Sequence, residues 1–299
     1  MNPYFSTRRS IRAYDPDRPV SDELLSDLLG QAIQAPNTGN MQIYSVIVTR
    51  EPERLAAIAP AHFSQPAIRS AKVALTFCLD LNRFDRWCRL GGAEPGLGNL
   101  QGFTWGVIDT AIFAQQFCTL AEMEGLGTCY LGTTTYNAEA IAEQLKLPQG
   151  VIPVITVTVG WPAENPPVQP RLPLGAVMHF EEYHDPTDAE LAGIYADEES
   201  LPENRRFVEE NGKRNLAQVF AEVRYPREQA EHFSRVYKEF LKSRGISLYG
   251  CTLSINNGTD RKPKVRKAYK ELTTTHATSL TTLILREDWG NALLSDNIP

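Results

Sequence analysis

The start of the chain places three guanidinium groups and one hydroxyl within five residues, Arg8-Arg9-Ser10-Ile11-Arg12. Each arginine presents a planar fork of N–H donors that can grip phosphate oxygens in pairs, and a serine can add a further hydrogen bond. A solvated basic N-terminus is the plain alternative. The segment predicts an anion site, with phosphate as the best-matched anion, provided that other parts of the chain support it.

Two further segments could complete such a site. A polar loop at residues 36–42, with the sequence PNTGNMQ, has side chains that donate and accept hydrogen bonds, and Gly39 in it allows an unusual backbone angle. Arg171 offers one more cation on a rigid turn between Pro170 and Pro173, shortly after a predicted buried strand.

Four motifs together resemble the nitroreductase family of flavin mononucleotide (FMN) enzymes, and they occur in that family's order. They are RRSIRAY at residues 8–14, PNTGNMQ at 36–42, GLGTCYLG at 125–132 and VGWPAENPPVQPRLP at 159–173. Each motif is weak alone, but four in register are fairly specific. The resemblance covers about residues 1–245.

The resemblance implies an FMN site with NADPH or NADH as the electron donor. Residues that would hold the phosphate and neighbouring polar atoms are Arg8, Arg9, Ser10, Arg12 and Arg171. The polar loop would reach the cofactor from the other subunit of a homodimer, through Pro36, Asn37, Thr38, Asn40 and Gln42. Leu131 and Gly132 would lie beside the flavin, where a missing Cβ lets the backbone approach the ring.

The implied reaction is ping-pong hydride transfer through flavin N5 to a small-molecule acceptor such as a nitroaromatic, a quinone or a free flavin. No catalytic side chain is required, because the cofactor carries the chemistry. Arg224 stands where some NADPH-using relatives carry an arginine for the cofactor's phosphate. The alternative for Arg224 is a surface arginine paired with Glu222 or Glu228.

Two departures from the family pattern bear on FMN affinity. Gln169 stands where relatives often carry a second cation, so the phosphate would depend more on the remaining arginines. Asn37 and Thr38 stand where serines are common, and they keep the capacity for hydrogen bonds but change its geometry. FMN binding is still expected.

Three other functions stay open at this point. A flavin carrier or redox sensor would keep the phosphate motifs but need no nicotinamide access. A dehalogenase or dehydrogenase of the same fold would act on one metabolite. The basic tail could also be an interaction module attached to the enzyme.

The composition of the chain argues against several classes of protein. The 299 residues carry a formal net charge of −6, which argues against general nucleic-acid binding, and 42% of them are hydrophobic, as is ordinary for a globular protein. No stretch approaches the length of a membrane span, and charges stand where a secretion signal would be apolar, so we expect a cytoplasmic protein.

Cysteines and histidines give no metal or nucleophile motif. The cysteines form no CxxC pair and are expected to be structural and reduced, and the histidines are scattered, without HExxH. We therefore expect no metal site. The GxSxG motif of a serine hydrolase is also missing from the sequence.

Hydrophobic patterns predict the elements that position these motifs. A helix should begin after Ser21 and end at Pro36, and a short helix capped by Asn137 should run through Leu145. Strands are predicted at 43–49, 73–79 and 152–160. This alternation gives an α+β or α/β sandwich, and the resemblance implies a central, mainly antiparallel sheet flanked by helices. The fingerprint of a Rossmann fold, GxGxxG after a strand, is missing.

The predicted helix at residues 107–123 is apolar around most of its circumference. Such a helix must be buried on several sides, either as the central helix of an entwined homodimer or as a core helix of one chain. Pro-rich residues 162–173 predict a stiff extended arm.

The chain is thus divided into an FMN-binding core at 1–188, a helical extension at 189–245 that packs on the core, and a polar, Thr-rich and basic tail of uncertain order at 246–299.

Overall fold

A four-stranded antiparallel sheet forms the centre of the fold in a computed structural model that describes residues 3–248. Its strands are β1 (Tyr44–Thr49), β2 (Val73–Asp80), β3 (Gly127–Leu131) and β4 (Val151–Gly160), and they lie in the order β1-β2-β4-β3. β2 and β4 are buried almost throughout, which explains why both read as continuous apolar and β-branched runs.

Helices cover both faces of the sheet. Within residues 3–248 they are α1 (Pro3–Thr7), α2 (Asp22–Ala32), α3 (Pro52–Ile58), α4 (Pro66–Ser70), α5 (Leu81–Leu90), α6 (Leu100–Met123), α7 (Ala138–Gln144), α8 (Asp188–Ser200), α9 (Pro202–Glu210), α10 (Leu216–Gln218) and α11 (Arg227–Ser243). Short 3₁₀ turns occupy Thr38–Asn40, Ala59–His62, Gly132–Thr135 and Leu174–Ala176, and a π-helical turn occupies Val219–Arg224.

The alternation of side chains along β2 divides the core between the two faces. Leu75 and Phe77 point toward α2 and α6, where Phe77 contacts the rings of Phe113 and Phe117 at centroid distances of 5.1 and 5.9 Å. Ala74 faces the opposite side with residues of α3, α4 and β3. This packing fixes α6 across the sheet.

The predicted fold class is confirmed: the chain is α+β, with an antiparallel sheet between helices. All three predicted strands are present. β3 was not predicted as a strand, because its five residues, GTCYL, are too few to show a pattern and begin with glycine. The central helix begins at Leu100 rather than residue 107, since the Asn99 side chain accepts a hydrogen bond from Gly102 N at 3.0 Å.

One predicted boundary and one predicted side-chain cap are wrong, whereas α7 itself lies between Asn137 and Leu145 as predicted. α2 ends at Ala32, before Pro36, although its start is as predicted, with Ser21 Oγ accepting from Leu24 N at 3.1 Å. Asn137 does not cap α7 through its side chain; its Nδ2 donates instead to Ala61 O at 2.8 Å, which ties α7 to the preceding layer.

The C-terminal helices follow a long connection with little regular structure. α8 begins with a capping box between Thr187 and Glu190. At the end of α11, Phe240 and Leu241 are buried against the sheet, and Ser247 N donates to Gly98 O at 2.9 Å. The division into three regions remains a prediction, and most of the predicted tail, with Cys251 and His276, lies outside the described residues. No helix in the described part of the chain has the length and apolar character of a membrane span.

Candidate functional site

The arginine segment is fixed to the edge of the sheet by its main chain. Ile11 N donates to Thr128 O at 3.0 Å on β3, and Asp15 N donates to Trp161 O at 2.8 Å after β4. The approach is close because Gly127 has no side chain: a Cβ there would lie 2.6 Å from Ile11 Cβ. These contacts hold the segment extended, so that its side chains project from a fixed backbone.

Arg8 forms a two-point ion pair with Glu122 at the end of α6. Arg8 Nε donates to Oε2 at 3.1 Å and Nη2 donates to Oε1 at 3.1 Å. Tyr4 and Thr128 also donate hydroxyl hydrogen bonds to this carboxylate. Burial disfavours the Arg8 charge, but the charge and the hydrogen bonds of Glu122 favour it, and the net effect raises the Arg8 pKa.

The other members of the segment keep more donors available. Arg9 Nη1 donates to Pro166 O at 3.0 Å, while the Ser10 hydroxyl has no hydrogen-bond partner within residues 3–248. The side chain of Arg12 is exposed, and its backbone N–H donates to Glu164 Oε1. Burial raises the pKa of the Cys129 thiol, and the nearby Arg12 guanidinium opposes that rise.

Gly132 lies at the opposite end of β3 from the arginine segment. Four residues separate it from Thr128, which corresponds to about 13 Å along a strand. Gly132 is exposed, and a Cβ placed on it would meet no atom within 4 Å, so a flat group can approach its backbone. Leu131, next to it, is buried in the core beneath.

The turn after Gly132 is anchored by a buried histidine. His62 Nδ1 lies 3.0 Å from Thr133 Oγ1, and His62 is fully buried. Burial lowers the pKa of His62 to about 4, so its ring is neutral at physiological pH.

The polar loop is held by a second carboxylate of α6. Thr38 donates to Asp109 through its backbone N–H, at 2.9 and 3.1 Å from the two oxygens, and through its hydroxyl at 2.9 Å. Asp109 is buried, so these bonds are shielded from water. Gly39, Asn40 and Gln42 adopt positive φ values of 57°, 55° and 52°, and a glutamine rarely does so.

Further bonds close the loop. Asn37 Oδ1 accepts from Gln42 N at 3.1 Å, and Gln42 Nε2 lies 3.3 Å from Asn40 Oδ1. Arg83 of α5 holds the exit of the loop, with Nη2 donating to the carbonyls of Gln42 and Tyr44. Pro36 is exposed at the entrance. A depression of about 440 Å³ opens beside the loop, lined in part by Gln42 and Arg83.

The two predicted halves of the site do not meet within one chain. Their anchors, Asp109 and Glu122, are thirteen residues apart on α6, which separates them by about 20 Å. Arg171 is exposed, and its side chain bonds to the carbonyls of Gln169 and Pro170 in its own turn. The structure therefore groups Arg8, Arg9, Ser10 and Arg12 at one place and residues 36–42 at another.

Arg224 is not paired with Glu222 or Glu228 in the described structure. Its guanidinium lies over the rings of Phe207 and Phe220, at 4.7 and 5.1 Å from their centroids, and Glu222 binds Lys213 instead at 2.8 Å. The alternative interpretation, a surface ion pair, is therefore wrong, and a cation–π arrangement takes its place. The role of Arg224 at the phosphate of NADPH remains a prediction.

Sequence reasoning missed the three carboxylates that hold the site. Asp109 and Glu122 are acids within a mostly apolar helix, and Glu164 lies in the Pro-rich arm. A buried acid requires a partner, so the acids of α6 were a usable signal. The partners, however, are residues distant in sequence, and nothing local identifies them.

The fold and these contacts define an α+β protein whose arginine segment is bound to the edge of an antiparallel sheet. The sequence model of the nitroreductase family matches residues 5–161, more than half of the chain. The chain belongs to the nitroreductase family.

Individual relatives agree with this assignment. The chain is 30% identical to the Cr(VI) reductase of Pseudomonas sp. strain G-1 over 241 residues, covering 80% of this chain and 95% of the relative. It is 32% identical to the FMN reductase (NAD(P)H) of Bacillus subtilis strain 168 over 259 residues, with the same coverage. A solved structure from Bacteroides fragilis NCTC 9343, described as an oxidoreductase, is 47% identical with a TM-score of 0.80, covering 81% of this chain and 98% of that one.

Proposed function

We propose that this protein is an FMN-dependent NAD(P)H oxidoreductase that works as a homodimer with shared active sites. The observation that carries the proposal is the arrangement along β3, with arginines fixed at one end and the bare, exposed backbone of Gly132 at the other. An anionic group joined to a flat ring system matches these two ends. The named relatives support FMN and NAD(P)H as the cofactors.

The residues at the arginine end fit the phosphate of FMN. The guanidiniums of Arg9 and Arg12 and the unpartnered hydroxyl of Ser10 are donors that suit phosphate oxygens. The three arginines of the segment exceed by one the carboxylates that touch it, Glu122 and Glu164. Arg171 would add a second surplus positive charge, which matches a dianionic phosphate.

A face of α6 is left without a partner in the described chain. Ile108 and Met123 are 48% and 54% exposed, and a groove between them is lined by residues 111–120 of α6 together with Gln31. Apolar residues on the open side of a central helix favour packing against a second copy. This is the surface on which we place the dimer axis.

A two-fold axis at this groove would complete the site. The midpoint between Asp109 and Glu122 falls between Gln115 and Gln116, at the centre of the groove. Two antiparallel copies of α6 related by an axis through that point bring Asp109 of one chain to Glu122 of the other. The polar loop of each chain would then reach the arginine segment of the other, and the 20 Å separation within one chain ceases to be an obstacle.

The Pro-rich arm and the ten residues after it have the character of a second interface. Between residues 168 and 183 the chain exposes large apolar side chains: Val168, Leu174, Val177, Met178, Phe180 and Tyr183. Exposed apolar residues of this density favour burial against another surface. We place the arm, and with it Arg171, on the second subunit, close to the phosphate.

FMN, when bound, supplies hydride transfer between the nicotinamide and the final acceptor, which makes the reaction ping-pong. The chain's part is to bind and orient: the arginines fix one end, and the backbone around Gly132 leaves room for close approach at the other. An open site requires only that the acceptor is flat and can be reduced. We therefore propose nitroaromatics, quinones or free flavins as acceptors. Arg224, held between aromatic rings, is proposed as a cation for the phosphate of NADPH.

The test is an absorbance spectrum of the purified protein followed by anaerobic addition of NADPH and then NADH. Flavin bands that bleach on addition are expected, and the two rates rank the donors. A colourless protein that cannot be reconstituted with FMN would contradict the proposal. Bound flavin that stays oxidised would support a carrier or sensor instead.

A further inference from the structure

Glu122 holds Arg8 by only part of its guanidinium. The ion pair uses Nε and Nη2, and Nη1 has no protein partner within residues 3–248. A guanidinium is planar and rigid, so fixing one edge also fixes the direction of the remaining N–H donors. Arg8 therefore presents one donor group in a defined direction.

The carboxylate itself is held by more than Arg8. Its side chain is 8% exposed, and hydroxyls of Tyr4 and Thr128 donate to it. Burial, followed by the hydrogen bond and charge of Glu122, raises the pKa of Tyr4 to about 12, so this phenol stays a donor throughout the physiological range. Because α1, α6 and β3 all contribute to the cluster, the position of Glu122 does not depend on Arg8.

We infer that Glu122 is a positioning residue for the phosphate of the flavin: it aims Nη1 of Arg8 toward the place where Ser10 and Arg12 can also bind that phosphate. This inference rests on the proposed function, because it requires the arginine segment to be the phosphate site. Glu122 acts through Arg8 and does not itself contact the cofactor.

The test compares FMN with riboflavin, which is the same flavin without the phosphate. Affinities are measured by quenching of flavin fluorescence on the full-length chain, with wild type and Glu122→Gln. The amide cannot accept both N–H bonds of the fork, so Arg8 loses its fixed direction. We expect FMN affinity to fall about tenfold, and riboflavin affinity to change less than about twofold.

Glu124→Gln is the matched control. Glu124 is exposed, lies two residues along the same helix end, and its loss changes the net charge by the same amount without touching Arg8. It should leave both affinities unchanged. A general electrostatic effect would instead move FMN binding equally in the two variants and would overturn the inference.

A double-mutant cycle tests whether the effect of Glu122 on FMN affinity depends on Arg8. If Glu122 acts through Arg8, then Glu122→Gln has no further effect on FMN affinity in an Arg8→Ala background. Additive losses would overturn the inference, as would equal losses for FMN and riboflavin or an unchanged or tighter FMN complex. Should Glu122→Gln fail to fold, Arg8→Lys keeps the charge but not the fork, and must show the same selective loss of FMN.

If wild type itself binds FMN no better than riboflavin, the phosphate site of the proposed function is wrong. If only the inference about Glu122 is wrong, wild type binds FMN better than riboflavin, and Glu122→Gln keeps that difference in affinity.

Discussion

The arginine segment and the polar loop are both held by a buried acid of α6, but their backbones differ. The arginine segment is extended and bonded to the sheet, whereas the loop has three residues with positive φ and depends on side chains for its shape. The segment should therefore keep its conformation when one side chain is lost, and the loop should not. Asp109 can anchor the start of the loop because its carboxylate is buried and accepts bonds from both the backbone N–H and the hydroxyl of Thr38.

Asp109→Ala should have the largest effect. It leaves the N–H and hydroxyl of Thr38 without their partner in a largely buried place, and each hydrogen bond to a charged group contributes about 1.5 to 3 kcal/mol. We expect the free energy of unfolding to fall by about 3 kcal/mol in urea denaturation, together with loss of FMN. Asp109→Asn, which keeps one acceptor, should lose less. Equal stability of Asp109→Ala and wild type would contradict the role of this anchor.

Gly127→Ala tests how the arginine segment is held against the sheet. The added Cβ meets Ile11 at 2.6 Å, so the arginine segment must move away from β3 at a cost of about 2 to 3 kcal/mol in unfolding free energy. Gly132→Ala is the control on the same strand, since nothing lies within 4 Å of its Cβ. It should leave stability unchanged but weaken FMN binding, as measured by flavin titration. A stable Gly127→Ala variant would show that the contact is looser than described.

The sequence singles out the two segments that we predict to bind the ligand, but it does not show which residues hold them in place. Three arginines around a serine are informative through residue type alone, and a loop with Asn, Thr and Gln is a recognisable set of hydrogen-bond donors and acceptors. The anchors Glu122 and Asp109 depend on contacts across 114 and 71 residues, which no local pattern contains. The positive φ of Gln42 could not be predicted either, because glutamine rarely adopts such a backbone angle.

Arg171→Ala should weaken FMN binding by about 2 kcal/mol without a change in unfolding free energy, because Arg171 is exposed and bonds only within its own turn among the described residues. Arg54→Ala, another exposed arginine, is the matched control. Retention of wild-type FMN affinity in Arg171→Ala would remove the arm from the phosphate site.

The smallest expected effect concerns the turn after Gly132. His62 has a folded pKa near 4, below its unfolded value, so its neutral form stabilises the fold fully above about pH 6.5 and less as pH falls toward 4. Between pH 7 and pH 5 the free energy of unfolding should drop by about 1.8 kcal/mol more in wild type than in His62→Gln. Parallel curves for the two proteins would show that His62 does not titrate on unfolding.

The shared site is the central claim, and a heterodimer tests it most directly. One chain carries Arg8→Ala with Arg12→Ala, the other carries Asn37→Ala with Thr38→Val, and the mixed dimer is isolated with two affinity tags. If each site takes its arginines from one chain and its loop from the other, one of the two sites is intact, and the heterodimer should hold FMN and reduce acceptor at about half the wild-type level. Each parent homodimer should be nearly inactive. A heterodimer no more active than its parents would show that each site lies within a single chain and would contradict the account.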